Sequence, residues 1–88
     1  MYAVTVQIKG AEPTAIFKGM MNIGFRPTVE GTFRVIEVNI FEFDATIYGE
    51  ILQVAVHHIL RSEQKFSGLD ALKEQLAKDK LQAIVSLQ

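Results

Sequence analysis

The side chains best placed to do chemistry lie in "FRVIEVNIFEF", residues 33–43, where Glu37 and Asn39 interrupt a row of β-branched and aromatic residues. A carboxylate held in mid-strand beside Val35 and Phe41 loses part of its hydration, which raises its pKa towards the range useful for a general base. An ordinary surface residue on a solvated face fits the same pattern, and both readings stand. His57 and His58 are neighbours within a strand pattern, so they point to opposite faces and cannot ligate one metal from that element. No HxH or HExxH spacing accompanies them; a structural role is expected for both, with His58 an inner, hydrogen-bonded residue. "LRSEQKF", residues 60–66, sets Arg61, Glu63 and Lys65 in a short polar connection that ends at Phe66. It suits either a solvated loop or a flap over a ligand. Gly19, Gly24 and Gly31 match neither GxGxxG nor GxxxxGK[ST], so they are expected to serve turns and bulges and not a phosphate.

Composition narrows the chemistry further. The chain has 88 residues, 49% hydrophobic and 22% charged, which fits one small globular domain that buries only ~60–65% of its unfolded surface. Its nine basic residues are dispersed and the formal net charge is −1, leaving no electrostatic footprint for a nucleic acid. With no cysteine there is no disulfide, thiolate metal site or cysteine nucleophile. No apolar run approaches the ~18–20 residues of a membrane span, and the N-terminal "MYAVTVQIKG" alternates where a signal peptide would be continuously apolar. A cytoplasmic chain without membrane contact is expected.

Alternation then identifies the elements that must carry these residues. In "YAVTVQI", Tyr2, Val4, Val6 and Ile8 share one face of a strand. A turn is expected at "KGAEPT", then a second strand in "AIFKGMMNI" with Gly19 as a bulge or close backbone approach. Arg26 precedes Pro27, and "GFRPTVEG" is expected to be a loop. Residues 33–43 form the strongest strand pattern, with Ile36, Val38 and Ile40 on one face and Glu37 and Asn39 on the other. "DATIYGE" is expected to turn, and "EILQVAVHHIL" to be a central or barrel strand because both its faces are largely apolar. One helix follows, with Ser67 and Asp70 in a capping-box spacing and Leu69, Leu72, Leu76 and Ala83 or Ile84 on its inner stripe. Glu74 and Lys78 are spaced to pair, while Lys78 and Lys80 are expected near the C-terminal end. Strands followed by one terminal helix, without β-α-β alternation, imply an antiparallel sheet or small barrel in a single domain.

Several blocks recur in a specific order: N-I-G-x-R-P-T at 22–28, I-E-V-x-I-F at 36–41, Y-G at 48–49, L-R-x-E-x-K-F at 60–66 and S-x-L-x-x-L at 67–72. In these blocks the chain resembles the riboflavin kinase domain, most closely the C-terminal half of bacterial bifunctional riboflavin kinase/FAD synthetases. The resemblance runs from about Tyr2 to Ala83. It implies a mainly β fold, an antiparallel Greek-key barrel with one C-terminal helix, and phosphoryl transfer from ATP to riboflavin to give FMN. It also implies Glu37 as catalytic base, Leu60, Arg61 and Phe66 on the flavin, and Tyr48 and Asn39 on the nucleotide side. Asn22 and Arg26 are further candidates in the first block. Mg2+ is the implied ion, but the family's threonine-asparagine motif that serves metal and phosphates is absent, so no metal ligand is assigned in this chain. Asn39 stands where the family commonly has histidine. A truncated domain, with an incomplete barrel whose unpaired strand edges can self-associate, is therefore expected. The other reading is a module from the same barrel that binds flavin or pairs strands without catalysis.

Overall fold

A computed structural model describes residues 1–10, 15–44 and 46–88. It contains β1 (Tyr2–Ile8), β2 (Ile16–Thr28), β3 (Gly31–Ile40), β4 (Leu52–Ile59) and α1 (Leu69–Ser86). Most of the turn expected at "KGAEPT" and one residue of "DATIYGE" lie outside the described residues. The four strands form one antiparallel sheet in the order β3-β2-β1-β4. That order places the fourth strand beside the first, the Greek-key arrangement. The described sheet is open, with β3 and β4 as its two edges.

Strand register fixes the faces. Tyr2 pairs with Met21, Val4 with Gly19 and Val6 with Phe17, while Met21 pairs with Val38 and Gly19 with Ile40. Val4, Val6 and Met21 are buried together, with Phe17, Val38, Ile40 and Val54 packed against them. This is the face expected from the alternation of β1 and β3. On the opposite face Ala3, Met20 and Phe41 pack with Met1, Ala83, Leu76 and Ile84, so the helix covers this side.

The loop expected over "GFRPTVEG" is instead the far half of a hairpin. β2 continues to Thr28, Arg26 pairs with Phe33 and Pro27 with Thr32, and only Val29 and Glu30 turn. Pairing of β2 with β1 stops at Met21, so beyond it β2 has a free edge where a proline removes no ladder bond. The extended bias that Pro27 imposes on Arg26 serves a strand as well as a loop.

Two other elements differ from expectation. β3 ends at Ile40, three residues early, because the chain turns at Phe41–Glu42, with Glu42 at φ 54°. β4 is an edge and not a central strand of the described sheet, leaving Val56 and Ile59 exposed. A bulge sets Ala3 opposite His58 but Val4 opposite Val56, so His57 is the extra residue. Its Nε2 lies 2.8 Å from Thr5 Oγ1, while His58 is exposed and not an inner residue.

The N-cap falls one residue past Ser67, the cap of the expected box. Gly68 is the N-cap and no side chain caps the helix, leaving Asp70 in the first turn. Leu69 points to solvent, and the inward stripe runs through Leu72, Leu76, Asp79 and Ala83. Since the helix reaches Ser86, Lys78 and Lys80 lie before its last turn; Lys80 Nζ sits 5.5 Å from the Phe41 ring centroid. Among the described residues the ion pairs are Arg26–Glu37 and Arg61–Asp79, so Glu74 and Lys78 do not pair.

Candidate active site

The hairpin sets the polar wall of the site. Glu37 on β3 lies directly opposite Asn22 on β2, and Asn39 opposite Met20. All four share the helix-side face. Gly19 allows this close pairing, since a Cβ there would meet the backbone oxygen of Asn39 at 2.5 Å. Between this wall, the segment after β4 and the first half of α1 lies a cleft of about 400 Å³, within the size range of small-molecule sites. Asn22, Glu37 and Asn39 line one side; Arg61, Glu63 and Phe66 line another; Met20, Leu72 and Leu76 supply apolar surface.

Glu37 differs from the desolvated carboxylate expected beside Val35 and Phe41. Its side chain is 62% exposed, with Oε1 3.3 Å from Arg26 Nη2. Phe41, in the turn that ends β3, packs in the helix-side core with Met20 and Ala83, and the Glu37 carboxylate stays open to solvent. An exposed pair of this kind holds geometry weakly and leaves Glu37 available to an incoming hydroxyl.

Arg61 is held more firmly. Its Nε lies 2.9 and 3.0 Å from the two carboxylate oxygens of Asp79, and its Nη2 lies 2.7 Å from Oδ2. Nη1 donates to the Ser62 carbonyl at 3.1 Å, and the guanidinium carbon sits 5.7 Å from the Phe66 ring centroid. Asp79 is fully buried and also accepts from Gln75 Nε2 at 3.0 Å. Burial opposes its ionisation, but the hydrogen bonds from Arg61 and Gln75 and the Arg61 charge prevail, holding the carboxyl below its ordinary value of 3.8.

Five of the residues singled out from sequence therefore line one cleft: Asn22, Glu37, Asn39, Arg61 and Phe66. Arg26 reaches the site through Glu37. Leu60 does not line it: the side chain packs in the helix-side core, and its N–H donates to the Met1 carbonyl at 2.8 Å. Tyr48 is 95% exposed and outside the cleft. Asp79 escaped the sequence reading, although a lone acid on the apolar stripe Leu72, Leu76, Ala83 was a visible sign of a buried partner. Glu63 was visible only as one charge in a polar connection. Its Oε1 would lie 3.1 Å from a Cβ at position 24, so glycine there leaves room for the carboxylate against β2.

A hard cation needs several oxygen ligands converging on one point. Among the described residues no group of three or more His, Cys, Asp or Glu is arranged to hold a metal ion.

A Greek-key sheet capped by one helix, with an acid and two amides facing an arginine and an aromatic ring, defines a small-molecule site on a mainly β scaffold. The flavokinase family model, described as riboflavin kinase, matches residues 1–87. The chain is 43% identical over 79 residues to the bifunctional riboflavin kinase/FMN adenylyltransferase of Haemophilus influenzae, covering 90% of this chain and 25% of that protein. With the enzyme of the same name from Escherichia coli K12 it shares 41% over 83 residues, 94% of this chain and 26% of that one. A crystal structure described as a macrolide-efflux protein from Streptococcus pneumoniae superposes with a TM-score of 0.76 at 34% identity, covering 90% of this chain and 25% of that chain. The chain belongs to the riboflavin kinase family. It spans about a quarter of the length of the curated relatives it matches.

Proposed function

We propose that this chain is the riboflavin-phosphorylating unit of a bifunctional riboflavin kinase/FMN adenylyltransferase, transferring the γ-phosphoryl group of ATP to riboflavin to give FMN. The observation that carries the reading is the meeting of Glu37, Asn22 and Asn39 with Arg61 and Phe66 in one cleft of a riboflavin kinase family member. Met20, Phe66, Leu72 and Leu76 offer the apolar and aromatic surface that a flat tricyclic ring requires. The two amides and the carboxylate offer hydrogen bonds to a polyhydroxylated chain.

In the transfer, the Glu37 carboxylate accepts the proton of the terminal ribityl hydroxyl. The freed oxygen forms a bond to the γ-phosphorus as the bond to the bridging oxygen breaks, and ADP departs. Such a transfer depends on positioning and on neutralising charge more than on covalent help from the protein. Mg2+ enters bound to ATP, as part of the substrate. Tyr48 and Asn39 are assigned to the nucleotide side, with Asn39 at the boundary between the two substrates in the cleft. The proposed location is the cytoplasm; no helix among the described residues is long and apolar enough to cross a membrane.

The test is direct: incubation of the folded protein with riboflavin and MgATP, with FMN resolved chromatographically. FMN formation dependent on both substrates supports the assignment, and its absence from cooperatively folded protein carrying the complete domain overturns it.

A second property follows from the open sheet. β4 presents Val56 at 54% and Ile59 at 75% exposure beside an unpaired edge of the described sheet, which favours strand pairing with another segment or copy. Sedimentation velocity of the 88-residue chain tests this: self-association is expected, and a strictly monomeric, cooperatively folded chain contradicts it.

A further inference from the structure

The Arg61–Asp79 pair does more than close a core. An apolar pair of similar volume commonly stabilises a small domain as well as a buried ion pair does, because two charges must be stripped of water. Here the pair joins the buried face of α1 to the segment that walls the cleft. The N–H groups of Leu60 and Arg61 donate to the Met1 carbonyl at 2.8 and 3.4 Å, which anchors the segment on its sheet side. Asp79 grips the Arg61 side chain from the helix, and Gln75 holds Oδ1 of Asp79 from one turn away.

The guanidinium is thereby fixed in plane and in rotation. Of its five N–H donors, the single one on Nε and one on Nη2 go to Asp79, and one on Nη1 goes to the Ser62 carbonyl. The remaining two donors, on Nη1 and Nη2, stay available while the cation's charge is balanced on its buried side. Without Asp79, the two acids that line the cleft, Glu63 and Glu37, become the competing partners for that charge.

We propose that Asp79 is a positioning residue for the flavin side of the cleft: its two-point grip sets Arg61 against Phe66 and holds residues 61–66 in the geometry that receives the flavin. The proposal rests on the riboflavin kinase reading above. Asp79 does not line the cleft, and it acts only through Arg61.

The test compares wild-type protein, Asp79→Asn, Asp79→Glu and Gln75→Ala in the complete polypeptide. The readouts are KM for riboflavin, KM for ATP, riboflavin Kd from quenching of flavin fluorescence, and thermal midpoint. Loss of a charge-assisted grip should raise the riboflavin KM and Kd of Asp79→Asn about tenfold. The ATP KM should stay within about twofold, since the grip acts on the flavin wall. Asp79→Glu should recover part of the loss, and Gln75→Ala, a milder change expected to fold even where Asp79→Asn does not, should raise the riboflavin Kd about threefold. Unchanged riboflavin Kd in Asp79→Asn or in Gln75→Ala overturns the proposal, as does a fall in activity that merely follows the folded fraction and spares riboflavin KM. Should wild type make FMN while Asp79→Asn binds riboflavin normally, the positioning role alone fails. Should wild type bind riboflavin without making FMN, the kinase reading fails and the Kd series still decides the positioning role. Wild type that neither binds nor phosphorylates riboflavin overturns both.

Discussion

Asn22 and Glu37 face each other across the β2–β3 hairpin, two ladder positions from the pair Met20–Asn39 and therefore on the same face of the sheet. The hairpin that looks like a glycine-punctuated connection in sequence is thus the element that sets the acid of the candidate site against an amide. Replacing Asn22 with Val separates the two roles of that position. A β-branched residue suits the strand, so stability should change by less than about 1 kcal/mol. FMN formation should nevertheless fall about tenfold for loss of one hydrogen-bonding group. A melt combined with kcat/KM checks this, and unchanged kcat/KM removes Asn22 from the site.

Gly19→Ala tests the closeness of the hairpin. The added Cβ meets the Asn39 backbone oxygen at 2.5 Å, and a backbone atom inside a paired strand cannot step aside. Overpacking of this kind costs about 1–3 kcal/mol, a fall of very roughly 4–20 °C in thermal midpoint for a domain of this size. A midpoint within about 1 °C of wild type contradicts the proposed steric origin.

Gly68→Ser should act in the opposite direction. Gly68 caps α1 with extended backbone at φ −175° and ψ 178°, offers no side-chain bond, and has nothing within 4 Å of an added Cβ. A serine hydroxyl there can accept from the first turn of the helix, for a gain of about 0.5 kcal/mol, or roughly 2–4 °C. Differential scanning calorimetry measures it; a lower midpoint contradicts the capping argument.

The Asp79 carboxyl titrates below its ordinary value of 3.8 in the folded chain, because bonds from Arg61 and Gln75 outweigh the cost of burial. The folded state therefore binds its proton less readily than the unfolded state does. The pair's contribution is complete above the unfolded value near 3.8 and declines as pH falls from there through the lower folded value. Wild type and Asp79→Asn should differ in stability at neutral pH and converge below pH 3.8, as read from denaturant melts across pH 2.5–7. A constant difference down to the lowest pH contradicts the assigned ionisation.

Sequence alternation disclosed the strand faces because each side chain's direction depends only on its own parity: Val4, Val6, Val38 and Ile40 meet on one face as their spacing requires. What it hid depends on partners distant in the chain. Pro27 reads as a breaker until β1 is seen to end its pairing at Met21. β4 reads as a central or barrel strand from its two apolar faces, and parity cannot show that it lies at an edge of the described sheet. Glu37 reads as shielded by Phe41, yet Phe41 sits in the turn that ends β3 and packs against Met20 and Ala83, while the Glu37 side chain stays 62% exposed. Most of the candidate site was legible as motifs; for Asp79 the sequence showed only a lone acid on an apolar stripe, and its partner, 18 residues away, was hidden.

The proposed base in riboflavin phosphorylation is Glu37. The most direct measurement is the rate of FMN formation from riboflavin and MgATP by wild type and by Glu37→Gln, with flavin binding and thermal midpoint followed in parallel. Glutamine keeps the size and exposed position of the side chain and removes only its ability to take the proton. A fall of about 10²–10⁴-fold in kcat, with riboflavin Kd and midpoint close to wild type, is the predicted result. Equal turnover by the two proteins contradicts it.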